Sequence, residues 1–579
     1  MHSYLKQMEA NLTSEEKDFL QRIYEPTVVA TPLSDSRRDI CILPDGEIRC
    51  YGILRGDARE YIQGPKTYGY LSSRDAGLSW KINYAKGKMH ACTYFEEAQI
   101  YIGNSIVSLQ EEPGMYIRRS KIGPDDPEPE EIKIDDKAYG DVFLPVKSAF
   151  SNRIWFTAQE RTKDSTPIFF YSDDFGQTWQ IRKLGLPKQQ EVVYPHKGPR
   201  WSVGSGTEPY AVELSENKMM MIVRNSTDSF YQSFSYDGGD TWTDPEPSTF
   251  YGSNTTAFFL RLSDGRVVTF WNNTKPLPDL NKKNMIPPVG QHCIDGIGED
   301  VFTNRDAAHA AITEDGGESW IGYREILLNP IRNAADFRYF GGVKSSNDKS
   351  VHQFQAYELP FHKILVSSGQ NVASRRMLIF DVNWLYEQER TVDFLTGLGN
   401  VSTQVYVKSI SGCTSHHGNG HCAWNRTNGA LMMPDPDGGF LENVLVSKHH
   451  DDRLFNDNQG IVWNFPMAKQ GNVTVELKLL EKQARFVLTD RWYNPCDPTA
   501  AWQSPFFFEL DPDDIGSAFS KIDIQFDTET AIAQVFADGQ FLFKVAMTKP
   551  CPTGISYLML QCVTDGDTQG FYVKRMEKH

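Results

Sequence analysis

The sequence predicts an all-β protein assembled from repeated antiparallel sheets, and three observations carry that prediction. One eight-residue pattern, Ser/Thr-x-Asp-x-Gly-x-Ser/Thr-Trp, occurs four times, at Ser73–Trp80, Ser172–Trp179, Ser235–Trp242 and Thr313–Trp320. From Ile40 onward, short runs that alternate apolar and polar residues are separated by turn signals such as Pro44-Asp45-Gly46 and Ser263-Asp264-Gly265, the pattern of hairpins. Few segments of this region carry the periodicity of a helix. In each copy of the pattern the Asp side chain is expected to accept hydrogen bonds from the turn's own amides. The Gly is expected to take a positive φ and the Trp to pack beneath the strands. The intervals between Asp75, Asp174, Asp237 and Asp315 are too long for one hairpin and suit four-stranded units, with pattern-free units between some of them.

Taken in order, residues 3–24 carry apolar positions at helical spacing (Leu5, Met8, Leu12, then Phe19, Leu20, Ile23). Thr13-Ser14-Glu15-Glu16 can cap the second of two short helices. This 1–30 segment reads as a helical lead-in that docks on the sheets or on a second subunit, so a homo-oligomer is one open state. Residues 31–394 hold the repeated sheets. Within them the acidic, proline-bearing stretch from Gly123 to Glu130 reads as a solvated loop, and the polar insertion from Lys275 to Gly298 as a surface or pocket-rim loop. A short helix over Trp384–Arg390 is expected to close this region. Residues 395–579 lack the pattern and show strands such as Val473–Leu477, Lys521–Phe526 and Gly554–Leu560, which predict a β-sandwich of jelly-roll type.

The 579 residues, 40 % hydrophobic and 12 % aromatic, suffice for two substantial cores. A net charge of −16 repels nucleic acid and anionic membrane surfaces, so an anionic ligand must be drawn in by a local basic pocket. Nine cysteines, with no CxxC pair and no His/Cys cluster at zinc spacing, predict neither a disulfide framework nor a structural metal. No cofactor is expected. Met1–Gln7 lacks an apolar signal core and no stretch of about 20 apolar residues occurs, so a cytoplasmic protein without a membrane partner is expected.

The repeated pattern is the Asp box, and its arrangement resembles the sialidase (neuraminidase) superfamily over roughly residues 31–390. The resemblance implies a six-bladed β-propeller with the boxes on its outer rim, so that the four box aspartates are structural. It also implies a site. Glu208-Pro209 opens a strand and Arg224 follows sixteen residues after Glu208. A Glu-Pro and an Arg stand at that separation in the family, the glutamate as base for a tyrosine nucleophile, the arginine as one of three that clamp the substrate carboxylate. A guanidinium grips a carboxylate through two parallel hydrogen bonds that Lys cannot reproduce. Arg305, on the strand feeding the fourth box, matches a second clamp arginine. Arg38 matches the remaining one and is preferred to Arg37, because side chains alternate along a strand and Arg38 lies an even count from Gly46.

Two departures bear on the reaction. The family's acid/base aspartate falls near Tyr61–Gln63 here, so Asp57 or Glu60 must be shifted to serve as general acid. Where the family places its Tyr-Ser, this chain reads Ser350-Val351-His352-Gln353-Phe354-Gln355-Ala356-Tyr357, with His352 nearest the slot. Tyr357 or Tyr339 could carry the nucleophile, or His352 could act as base with Glu208 holding its tautomer. The resemblance thus implies an exo-α-sialidase-like glycoside hydrolase removing a terminal acidic sugar from glycans. Two alternatives stay open: a glycosidase with a changed nucleophile acting on another keto-acid sugar or a uronate, and a glycan-binding propeller that catalyses nothing.

Overall fold

The computed structural model describes residues 3–33, 39–54, 67–104, 114–137, 139–160, 166–185, 187, 207–225, 228–252, 255–275, 277–278, 301–302, 305–330, 332–333, 350–369, 374–407, 425–427, 429–438, 443–448, 459–480, 483–497, 499–562 and 569–579. Among them, six antiparallel sheets of four strands follow one another along the chain, one with an extra short strand. The first is Ile40–Ile42, Ile48–Ile53, Tyr68–Ser73 and Lys81–Tyr84. The fourth is Tyr210–Ser215, Lys218–Val223, Ser229–Ser235 and Glu246–Tyr251. In the sixth, Gln355–Leu359, Lys363–Ser368 and Arg376–Asp381 are completed by Thr27–Ala30 from the N-terminal end of the chain. That strand lies inside the segment read from sequence as the helical lead-in, because its backbone pairing needed a partner remote in sequence.

Each neighbouring pair of sheets shares an apolar cluster. Phe95 and Ile117 meet Ile154 and Phe170 between the second and third, and Tyr210 meets Phe258 between the fourth and fifth. Leu365 and Ile379 of the sixth sheet meet Ile40 and Ile48 of the first. Gln355 spans the same junction, its Oε1 accepting from Ile40 N at 2.8 Å and its Nε2 donating to Ile40 O at 2.8 Å. The helices Ser3–Asn11 and Ser14–Arg22 dock there too, burying Met8, Leu20 and Ile23. The second helix starts on the expected capping box, with Thr13 N donating to Glu16 Oε2 (2.8 Å) and Glu16 N to Thr13 Oγ1 (3.2 Å).

All four boxes sit between the last two strands of a sheet and share the Asp and Ser/Thr bonds, and the first three also share the Trp Nε1 bond to the box Gly O. In the first, Ser79 N donates to Asp75 Oδ1 (2.9 Å), Gly77 N to Ser73 Oγ (2.8 Å) and Trp80 Nε1 to Gly77 O (2.9 Å). The box glycines have φ between 79° and 98°, as expected, and each Trp packs into a different apolar cluster. Burial alone would raise the Asp315 carboxyl. Bonds from the Ser319 hydroxyl and amide and from Thr313 outweigh it and bring the pKa down to about 2.

After Asp381 the chain makes a 3₁₀ turn, Val382–Tyr386, shorter than the expected helix, capped by Asp381 Oδ1 on Asn383 N at 2.8 Å. The strand Arg390–Val392 already pairs with Gln569–Lys578, so the C-terminal sheets begin before residue 395. They are an eight-stranded and a five-stranded antiparallel sheet whose facing residues, among them Trp463, Val475, Phe486, Ile524 and Leu558, form one apolar cluster. These sheets meet the fifth sheet through buried polar groups. Asn273 N donates to His309 Nδ1 (3.0 Å), so the proton on His309 Nε2 faces the Tyr557 oxygen, and Tyr557 O–H donates to Glu325 Oε1 (2.7 Å). Burial lowers His309 to about 3 and raises Glu325 to about 7, the latter against the pull of Arg390, Tyr557 and Arg332.

Candidate functional site

The hairpin of the fourth sheet sets the first pair of site residues. Its register places Tyr210 opposite Ile222, and continuing outward by two residues brings Glu208 opposite Arg224. Their side chains form a buried ion pair between Arg224 Nη1 and Glu208 Oε2. Backbone ties hold both ends: Arg224 N donates to Thr207 O at 2.9 Å, and Thr207 N donates to Gln159 Oε1 of the third sheet. A buried carboxylate needs such a partner, since desolvating it alone costs several kcal/mol (~3–5 when one member of a pair is removed).

The sixth sheet supplies the next side chain. Gln353 Nε2 donates to Glu208 Oε1 at 3.0 Å, and Gln353 N donates to Thr256 Oγ1 at 3.3 Å. Glu208 (φ 37°) and Gln353 (φ 66°) both hold a left-handed backbone that non-glycine residues rarely adopt. Such strain persists where surrounding structure over-determines it. Gln353 was not singled out from the sequence. Its only mark there is that it follows His352 at the departing slot.

The fifth sheet delivers Arg305, two residues before its third strand, Ala307–Thr313. Arg305 is buried, Arg305 O accepts from Val351 N at 2.8 Å, and Arg305 Nη1 lies 3.0 Å from His352 Nε2. A guanidinium only donates, so His352 Nε2 is the accepting nitrogen and the ring proton sits on Nδ1, facing Ser350 Oγ at 2.5 Å. The lone pair a general base would use is therefore engaged by Arg305. In this arrangement His352 holds the Arg305 guanidinium. Glu208 Oε1 is instead met by Gln353. The neighbouring Asp306 carboxylate accepts from Asn329 Nδ2 (2.9 Å) and Gln404 Nε2 (3.1 Å).

Glu208, Arg224, Arg305, His352 and Gln353 are thus brought together from three successive sheets. Tyr357 is placed elsewhere. Its phenol donates to Ile40 O at 2.7 Å and accepts from Gln355 Nε2 at 3.1 Å, at the junction of the first and sixth sheets. Burial, aided by the nearby Cys41, pushes that phenol well above its usual range, opposite to what a phenolate nucleophile needs. Arg37, Arg38, Asp57, Glu60 and Tyr339 lie outside the described residues. Among the described residues no group of three or more His, Cys, Asp or Glu could hold a metal ion, and no helix is long and apolar enough to cross a membrane.

Residues 136–330, which include three of the four boxes and Glu208, Arg224 and Arg305, match the BNR repeat-like domain family. Among solved structures, the Trypanosoma rangeli sialidase in complex with sialic acid is 11% identical, with 96% of this chain and 91% of that chain covered at a TM-score of 0.33. A protein of unknown function from Dyadobacter fermentans is 15% identical, with 62% and 97% covered at a TM-score of 0.37. At TM-scores this low the overlays add nothing to the reading of the site. No curated protein matches the chain.

Proposed function

We propose that this protein is a sialidase-like exo-glycosidase, its six sheets the blades of a propeller and the C-terminal pair of sheets a β-sandwich packed against it. The carrying observation is that two buried guanidinium groups are tied to adjacent residues of the sixth sheet: Arg224 of the fourth sheet through Glu208 to Gln353, and Arg305 before the fifth sheet's third strand to His352. Buried guanidinium groups supply the local positive charge that a small anionic ligand needs in a protein whose net charge is −16. In this reading Arg224 and Arg305, with Arg38 or Arg37, hold the carboxylate of a terminal acidic sugar through charge-assisted bonds.

Glu208, paired with Arg224 and oriented by Gln353, takes a proton from the attacking group, while Asp57 or Glu60 protonates the leaving oxygen. With the Tyr357 phenol donating to Ile40 O and the His352 lone pair taken by Arg305, the attacking group is a water activated by Glu208. The test is turnover of aryl glycosides of sialic acid, related keto-acid sugars and uronic acids by the wild type and Glu208→Gln. Release of the aryl group by the wild type, lowered on the order of 10²–10⁴-fold in Glu208→Gln, is expected. No turnover of any of them, with glycan binding intact, would replace this reading by that of a glycan-binding propeller.

A further inference from the structure

The C-terminal sheets reach into the end of the molecule that carries the site. In a sheet of four antiparallel strands paired in chain order, the connection between the second and third strands lies at the opposite end from the turn between the third and fourth. The boxes occupy the latter end. Glu208 before the first strand of the fourth sheet, Arg224 after its second, and Arg305 before the third strand of the fifth all occupy the former. So do Asp228, which precedes Ser229–Ser235, Tyr251, which ends Glu246–Tyr251, and Lys275, four residues beyond Val267–Trp271.

Into that end comes Asp490-Arg491-Trp492, which follows the strand Ala484–Thr489 of the five-stranded C-terminal sheet. Arg491 Nη1 donates to Asp228 Oδ2 at 2.9 Å, and Lys275 Nζ donates to the same oxygen at 2.7 Å. Arg491 Nε donates to Asp490 Oδ1 at 2.8 Å, and its guanidinium stacks on Tyr251, 3.2 Å from the ring centroid. Alongside, Trp492 pairs with the connection that leaves the fifth sheet's second strand. Trp492 N donates to Asn273 O (2.9 Å), Lys275 N to Trp492 O (2.7 Å) and Asn273 Nδ2 to Asp490 O (2.9 Å).

These contacts end one step from each arginine of the site. Asp228 is followed by Ser229, whose carbonyl accepts from Asn225 Nδ2 at 2.8 Å, and Asn225 is the residue after Arg224. Asn273 is preceded by Asn272, a fully buried amide whose Nδ2 donates to Ala307 O (2.7 Å) and to Val351 O (3.0 Å). Ala307 lies two residues after Arg305, and Val351 precedes His352, the partner of Arg305. Apolar packing of Val462, Val487 and Met559 with Ala307 and Leu328 already joins the C-terminal sheets to the fifth. A buried charge cluster adds little stability over such packing, but its directional bonds fix where the chain lies.

We propose that residues 490–492 are a wedge by which the C-terminal sheets position Arg224 and Arg305, with Arg491 as its positioning residue. What the two guanidinium groups then bind rests on the sialidase-like reading above, whereas their ordering by the wedge does not. The wedge pins the connection after Arg224 at Asp228 and the segments around Arg305 and His352 through Asn272 and Asn273. A region that supplies none of the five residues of the site thus sets its geometry.

The test compares the full-length wild type with Arg491→Gln by amide hydrogen exchange and by kinetics. Peptides carrying the Arg224 amide, bonded to Thr207 O, and the Val351 amide, bonded to Arg305 O, should exchange roughly tenfold faster in the variant, while those carrying the box glycines Gly77 and Gly239 keep their wild-type rates. On whichever aryl glycoside of an acidic sugar the wild type turns over, KM should rise about tenfold with kcat little changed, the signature of a loosened hold on the substrate carboxylate. Unchanged exchange at both amides would overturn the proposal, as would an equal rise at the box glycines or an unchanged KM. A wild type that turns over none of the glycosides defeats the sialidase-like reading instead, and the exchange comparison then decides the wedge. Should Arg491→Gln fail to fold, Asn273→Ala, which removes one neutral bond to Asp490 O, takes its place with the Val351 amide as the reporter.

Discussion

The box turns and the hub where Glu208 sits are both polar clusters built around a carboxylate, yet they are held in opposite ways. Asp75 is satisfied by a residue four positions away, and the other boxes repeat that bond at the same interval. Glu208 takes its partners from 16 and 145 positions away. A box closes within one turn and stays at the surface, so it can stabilise a sheet but has no unmet demand to place on a ligand. The Glu208 site gathers buried charge from two sheets and polar partners from a third, which folding alone would not favour, since a hydrophobic replacement of a buried ion pair is often no less stable. On the proposed function, that imbalance marks the Glu208 cluster, and not the boxes, as the working part.

The largest expected effect breaks the hub. Arg224→Ala leaves the Glu208 carboxylate buried without its guanidinium and should cost about 3–5 kcal/mol in denaturant unfolding. Arg224→Lys should keep the fold yet lose most of kcat/KM on an acidic aryl glycoside, since an ammonium cannot reproduce the planar fork. Equal kcat/KM in Arg224→Lys would make the hub as purely structural as a box.

Next in size is the buried contact between the fifth and C-terminal sheets, a long-range cluster with no place in the proposed chemistry. Glu325 has a folded pKa raised to about 7 from 4.5, so its contribution is fully present below pH 4.5 and is lost as pH rises through about 7. His309, lowered from 6.5 to about 3, contributes above pH 6.5 and loses it as pH falls toward 3. Their slopes oppose each other between these windows. Glu325→Gln keeps an acceptor for Tyr557 O–H and removes the buried charge. It should therefore stabilise the protein above pH 7 by about 3 kcal/mol, with little change at pH 4. A pH-independent effect in thermal unfolding would show that Glu325 does not titrate in this range.

A smaller effect is expected of the rim. Asp315→Ala removes the acceptor for the Ser319 amide and hydroxyl and should cost about 1–2 kcal/mol while leaving kcat/KM unchanged. The smallest tests the discarded nucleophile. Tyr357→Phe removes one bond to Ile40 O, which still accepts from Gln355 Nε2 at 2.8 Å, so about 1 kcal/mol or less is expected with turnover intact. Abolished turnover at unchanged Tm would restore Tyr357 as the attacking group.

Legibility follows the same division. The turn geometry of the boxes, the capping box at Thr13 and the facing of Glu208 and Arg224 could all be read, because each rests on local periodicity or on one hairpin's register. Gln353 could not, since nothing in a glutamine's neighbours reveals that it will meet a carboxylate from another sheet. His352 was noticed for its place in the chain, but its partner could not be read, because which ring nitrogen is engaged depends on Arg305, a residue 47 positions away. The strand Thr27–Ala30 was missed for a like reason: four residues show no sign that their partner is Arg376–Asp381.

Taken by itself, the order of residues determined the β class, the four rim turns and the pairing of Glu208 with Arg224, all of which arise from interactions within a few residues or across one tight turn. Only the tertiary structure decided that Arg305, His352 and Gln353 join that pair and that Tyr357 belongs to the seam between the first and sixth sheets. Those outcomes depend on which strands become neighbours when apolar faces are buried together, and the packing of whole sheets is a property that no short stretch of the chain contains.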